Sequence, residues 1–311
     1  MGVLNVREMA ISRQRTRFTR YNSNDESKLD FTLKVLSFMT STELVLRPRK
    51  GWQPIDLHEM YEGRELFGFL VWRDIKIRYK QTALGGLWAV GQPLIAMLIF
   101  TVFFNRLAGI RTDGPPYPVF AYSGLVLWTF FANSVSMSSN SLVGNQVLVS
   151  KVYFPRIFIP LASIGALMLD FAVGLVLMFF LMIYYRCLPS SGALLIPLYV
   201  LGTLLASSGL GLILSAINVR FRDVKYAVPF FLQMGLFVSP VIYPLKYIPR
   251  RYQPLLGFNP MSGMVVGFRH AVLGEPTSWA LVATSLAASV GLFVAGVFVF
   301  RRMERRFADI I

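Results

Sequence analysis

IFIPLASIGALMLDFAVGLVLMFFLMIY, residues 157–184, decides the fold class. In 28 residues it carries one charged side chain, Asp170. A helix crosses a bilayer with about 20 mostly apolar residues, so this run is long enough to cross with tilt. Outward from it, five more runs have the same character: 87–104, 117–135, 193–217, 226–243 and 279–300. The whole chain agrees, with 55% hydrophobic and 15% charged residues in 311. Soluble domains carry about 25% charged residues. The sequence therefore reads as an all-α membrane protein with six transmembrane helices.

Residues 1–85 hold no spanning run. Residues 1–50 read as a polar, poorly ordered tail, 51–85 as an amphipathic region, and 86–311 as the six-span domain. The opening MGVLNVREMAISRQRTRFTR is basic but lacks the apolar centre of a signal peptide. With both ends on one side, that side collects 24 Lys and Arg and the other 7. The positive-inside rule places both termini in the cytoplasm. Locally, Arg73, Lys76, Arg78 and Lys80 before the first span and Arg301, Arg302, Arg305 and Arg306 after the last repeat the bias. The net charge of +15 is thus read as basic loops at a membrane surface, with no nucleic-acid partner.

Four features do not fit plain spans and loops. In GRELFGFLVWRDIKIRYK (63–80), Gly68, Trp72, Ile75 and Tyr79 share a helical stripe, although Leu66 and Ile77 make the pattern ragged. A basic helix with aromatics beside a span is expected to lie in the inner interface, touching lipid phosphates. SNSLVGNQVLVSKVYFPR (139–156) is cytoplasmic by topology yet apolar, so it packs either on a soluble partner or on the chain itself. Residues 246–276 are too apolar for a solvated loop and too broken by Pro and Gly to span. Two short re-entrant periplasmic helices fit them, and an interfacial helix lying flat is the alternative. Asp170, deep in a span, serves either a substrate path or a bond to a neighbouring helix.

Much chemistry is absent. There is no Gly-Lys pair, hence no P-loop, and no Gly-x-Ser-x-Gly elbow or close carboxylate pair at the membrane face. One cysteine, Cys187, and two histidines, His58 and His270, give no metal-ligand pattern. The chain is read as no enzyme, with no metal or cofactor of its own.

Seven stretches in order, FLVWRDIKIRYKQTALGGLWAVGQPL (69–94), PYPVFAYSGLVLWTFFANSV (116–135), SNSLVGNQVLVSKVYFPRIFIPL (139–161), SAINVRFRDVKYAVPF (215–230), SPVIYP (239–244), FNPM (258–261) and GFRHAVLG (267–274), carry a resemblance. Together the chain resembles the membrane subunit of polysaccharide ABC exporters, the type-2 permeases for O-antigen, capsule and teichoic-acid polymers. The resemblance implies a homodimer in the bacterial inner membrane with two ATP-binding subunits, which bind ATP and Mg. It implies a lipid-linked polysaccharide as cargo.

It also implies site residues. Asn145, Gln146, Leu148, Lys151, Val152, Tyr153 and Phe154 would form the coupling helix seated on the ATPase. Trp72, Arg73, Lys76, Arg78, Tyr79 and Lys80 would form a gate helix that meets the lipid head group. Trp88, Phe120, Tyr122, Trp128, Phe131, Phe237 and Tyr243 would offer rings along which sugars slide. Arg250, Arg251 and Arg269 would guard the periplasmic exit, and Arg269 alternatively fixes a re-entrant helix. Rival readings are a type-2 permease for a small lipid or drug, a membrane enzyme of polyprenyl-linked glycan assembly, and an ion-coupled transporter. The enzyme lacks its carboxylate cluster and the ion-coupled transporter its several buried ionisable groups.

Overall fold

The structure, a computed structural model, describes residues 61–80, 85–112, 114–151, 154–187, 189–304 and 307. The expected tail at 1–50 lies outside these residues, as do Val152 and Tyr153. Among the described residues every regular element is helical. The long helices are α1 (Arg64–Lys80), α2 (Gly85–Phe100), α3 (Tyr117–Gly144), α5 (Phe158–Tyr184), α6 (Ile196–Arg220) and α10 (Trp279–Glu304). Shorter ones are α4 (Gln146–Lys151), α7 (Val224–Val238), α8 (Gln253–Leu256) and α9 (Pro260–Leu273).

Local chemistry sets the boundaries. Pro115 and Pro116 precede α3, and Pro118 sits in its first turn, where a missing N–H costs nothing. At its other end the Asn145 N–H turns back onto the carbonyls of Ser141 and Leu142. The Asn259 side chain caps α9 by accepting from the Met261 N–H, and Gly274 ends it with φ 73°, a left-handed turn that glycine adopts without strain. The last turns of the first expected span leave α-geometry: Thr101–Leu107 is π-helical.

Packing centres on α3. It touches α2, α5, α6, α7 and α9, and Val119, Phe120, Ala121, Tyr122, Leu127 and Val135 are fully buried. A helix buried on nearly all faces needs apolar residues all round, which is why its amphipathic signal is weak. α10 joins the bundle through α6 and α9, and α1 joins chiefly through α5.

Among the described residues four helices are long and apolar enough to cross a membrane: Tyr117–Gly144, Phe158–Tyr184, Gly192–Arg220 and Trp279–Glu304. They coincide with the second, third, fourth and sixth expected spans. The first and fifth fall on shorter apolar helices, Gly91–Leu107 and Val224–Val238.

Residues 246–276 differ from the expected pair of helices. Their first half is a series of single turns, Leu245–Tyr247, Arg250–Tyr252 and α8. Only the second half, α9, is a sustained helix. α9 contacts α3, α6 and α10 and is buried along nearly its whole length. A helix lying flat at an interface exposes one face, whereas α9 exposes little of any.

α6 and α10 bring their backbones together at glycines. A Cβ at Gly296 would strike the backbone of Gly209, and one at Gly209 would strike the backbone at Leu292 and Phe293. Without a hydrophobic drive between helices in lipid, such small-residue contact is what holds spans together. Gly209→Leu and Gly296→Leu should each destabilise the detergent-solubilised chain by about 2 kcal/mol or more. Gly291→Ala, which meets open space, should leave it unchanged. Thermal unfolding with size-exclusion monodispersity checks both.

Candidate functional site

α1 and α5 run side by side in the same direction. The Phe67 and Phe158 rings lie 5.6 Å apart near the start of both helices. One turn further, Val71 packs where Gly165 has no side chain. Next, Ser163 Oγ donates to Asp74 Oδ2 at 3.2 Å. At the last turn of α1, Arg78 Nη2 meets Asp170 Oδ2 at 2.6 Å, and the Tyr79 hydroxyl donates to Asp170 Oδ1. Where the sequence led us to expect a helix in the interface, α1 packs lengthwise on α5. α1 stands along the first half of α5, because Asp74 and Asp170 give it polar contacts up that face.

The turn of α1 sorts the six expected gate residues into two groups. Trp72, Lys76 and Lys80 are exposed on the face away from α5. Arg78 and Tyr79 point to Asp170, and Arg73 is held by Asp74 through Nε at 3.0 Å and Nη2 at 2.8 Å. Burial first, and the bond to Asp170 second, push the Tyr79 hydroxyl up to about 12. It keeps its proton at neutral pH and stays a donor.

Beside this pair is a cleft lined by Arg78, Gln92, Thr129, Asn133 and Asp170 with apolar walls from Pro93, Val126, Phe130, Leu167 and Phe171. Its volume is about 50 Å³, room for one or two waters and far too little for a sugar. Sequence reasoning singled out Asp170 but missed Gln92, Thr129, Asn133 and Asp74. Their signal was available, since amide side chains inside apolar runs are costly unless they face a partner or a cavity.

The segment at the end of α3 is only partly a free surface. Val149 and Phe154 are buried, while Val147 is 68% exposed and Ser150 is exposed. Asn145, Gln146 and Leu148 are half-buried. The Lys151 side chain, with Val152 and Tyr153, lies outside the described residues. Thus Phe154 packs on the chain itself and Val147 is the apolar tip. Two residues, Asn218 and Glu304, brace this end. Asn218 Nδ2 of α6 donates to Ser139 O at 2.9 Å and Asn140 Oδ1 at 3.2 Å. Glu304, at the end of α10, accepts from the Arg156 N–H at 3.2 Å and, through its carbonyl, from Arg156 Nη1 at 3.0 Å.

Of the expected exit arginines, Arg251 is exposed and stacks on Tyr252, and the Arg250 side chain is outside the described residues. Arg269 is 2% exposed, so it presents nothing to a ligand. Its Nη1 donates to Pro240 O at 2.6 Å, Nη2 to Val241 O, and Nε to Phe120 O at 3.3 Å. The guanidinium sits 3.6 Å from the centre of the Phe120 ring. Arg269 therefore pins α9 to α3 and to the turn after α7. Burial lowers it to about 10, still well above neutral, so it stays charged.

Burial also corrects the aromatic lining. Phe120, Tyr122, Trp128 and Phe131 all lie inside the chain's own packing. Phe120 is under Arg269, and the Tyr122 hydroxyl donates to Gly174 O at 3.1 Å. Phe237 is exposed, and Tyr243 next to it donates to the Phe237 carbonyl at 3.0 Å. The Trp88 side chain is outside the described residues.

Comparison with known proteins bears on this arrangement. Residues 65–273 match the ABC-2 type transporter family. The match runs from the start of α1 to the end of α9 and so takes in the cleft, α4 and Arg269. The chain is 32% identical over 260 residues to the O-antigen export system permease protein RfbA of Myxococcus xanthus, covering 82% of this chain and 98% of that one. It is 29% identical over 240 residues to a Klebsiella pneumoniae protein of the same description, covering 77% and 92%. Against the polysialic acid transport protein KpsM of Escherichia coli it is 26% identical over 235 residues, covering 75% and 91%.

Arg269→Met should strand the carbonyls of Pro240 and Val241 and cost roughly 3 kcal/mol. The expected result is a clear fall in the thermal midpoint of the solubilised chain, with Arg269→Lys recovering part of it.

Proposed function

The chain belongs to the ABC-2 type transporter family, and we propose that within it the chain is the membrane subunit of an ATP-driven exporter of lipid-linked polysaccharide. The observation that carries this reading is the near-complete coverage of an O-antigen export permease at 32% identity. A second relative in polysialic acid transport points to the same class of cargo. On this reading ATP is bound and hydrolysed, with Mg, by two separate subunits. The permease is a homodimer in a bacterial inner membrane with both termini in the cytoplasm. α2 with its π-helical turns and α7 complete six spans. α8 and α9, with the turns before them, form the re-entrant periplasmic segment.

The mechanism follows from what each element can do. α4 is the part that an ATPase would grip, with Val147 as its apolar contact. Because α4 continues α3, and Asn218 and Glu304 brace its neighbourhood from α6 and α10, a push on α4 would move three spans together. Trp72, Lys76 and Lys80 on the free face of α1 suit an anionic head group in the inner leaflet. The exposed rings of α7, Phe237 among them, suit a sugar chain moving along a path between two copies.

Co-purification with the ATPase subunit and an ATPase assay with lipid-linked glycan test the reading. A two-plus-two complex whose hydrolysis changes with glycan is expected. A chain that purifies alone in the presence of that ATPase would overturn it. Val147→Asp should cut ATPase association at least tenfold, since burying an unpaired carboxylate in an apolar contact costs more than about 1.4 kcal/mol. Its thermal midpoint should stay unchanged, because Val147 touches little of its own chain.

A further inference from the structure

We propose that Asp170 is a stand-in for a lipid phosphate: it occupies Arg78 while the cleft is closed, and a phosphate-bearing lipid head group opens the cleft by taking Arg78 from it. The inference rests on the export reading and names the site within it where the head group is first held.

Four observations converge on this exchange. Asp170 is the only charged residue in the 27 of α5. A carboxylate at that depth is costly, and an apolar pair would pack the two helices at least as well, so the ion pair is a poor device for stability alone. Next, the pair is reachable, for the Arg78 side chain is 31% exposed and Asp170 13%. Third, Gln92, Thr129 and Asn133 line the same cleft and make no side-chain hydrogen bond to any described residue. Gln92 is exposed and Thr129 and Asn133 are half-buried, so a guest that opened the cleft would meet their polar groups.

The fourth observation concerns the hold on α1. Its first turns are fastened by apolar packing, with Leu70 buried and Phe67 on Phe158. Among the described residues, the last turn is fastened to α5 through Arg78 and Tyr79, both on Asp170. The sulfur of Met137 on α3 lies 3.0 Å from Arg78 Nη1. Besides the Ser163–Asp74 hydrogen bond, the Arg78–Asp170 pair is the charged contact on this seam, and a competing anion can release it. Lys76 and Lys80 on the outer face would draw that anion in. Arg78 offers a phosphate the same paired donors it offers the carboxylate. The amides of Gln92 and Asn133 then meet the groups next to the phosphate. No bond is made or broken in this step, and the charge on Arg78 is conserved.

The test measures lipid binding to the full chain in phosphatidylcholine nanodiscs without ATPase, so its outcome is separate from that of export. The probes are a polyprenyl diphosphate and phosphatidylglycerol. Asp170→Asn removes the competitor but keeps an acceptor for Tyr79, and should tighten binding about tenfold. Tyr79→Phe, which removes no charge, loosens the same latch and should tighten binding about threefold, and it decides the matter if Asp170→Asn fails to fold. Both gains should vanish when Arg78→Gln is added. A gain for the diphosphate alone assigns the site to the glycan carrier, and a gain for both assigns it to lipid phosphate in general. The proposal is overturned if neither variant tightens binding, or if the gain survives loss of Arg78.

Discussion

A carboxylate can sit halfway along an apolar helix only if the protein supplies its partners, because lipid supplies none. Asp170 imposes that condition on this chain. Its partners come from Arg78 and Tyr79, so α1 must stand against α5 with its last turn at the level of Asp170. The same rule governs the other end of the bundle. Arg269 is buried among carbonyls, and those carbonyls are free to accept because the chain turns irregularly after α7. Where the backbone departs from plain helix, a buried polar side chain closes the gap.

Much of this was legible in the sequence, and the failures have physical causes. Spans show through length and composition, which a bilayer reads directly. The broken character of 246–276 was visible in its Pro and Gly content, and Asp170 stood out because nothing near it in sequence is charged. The face of α1 was misread because its inner stripe contains Asp74 and Arg78, so polarity does not mark the exposed side. Phe120, Tyr122, Trp128 and Phe131 were misplaced because α3 is buried on nearly every face. In such a helix periodicity cannot separate core from path. Phe154 was misplaced for a related reason: an apolar loop in water covers itself before it covers a partner, and only Val147 is left standing out.

The contacts divide the bundle into a stiff part and a part that can give. α3, α6, α9 and α10 meet through glycine contacts and buried serines, which leave no room for sliding. α1 meets the rest along one seam, half apolar and half ionic. The proposed exporter would use both properties, a rigid frame to carry a push from α4 and a movable edge to admit a cargo from the membrane.

The most direct test is transport itself. The chain and its ATPase subunit would be reconstituted in proteoliposomes, with lipid-linked glycan on the face that carries α4, and glycan reaching the opposite face would be measured. The account predicts transfer that needs ATP, the ATPase and this chain together, and that stops when any one is left out. Transfer without ATP, or a complex that hydrolyses ATP while the glycan stays where it was placed, would contradict it.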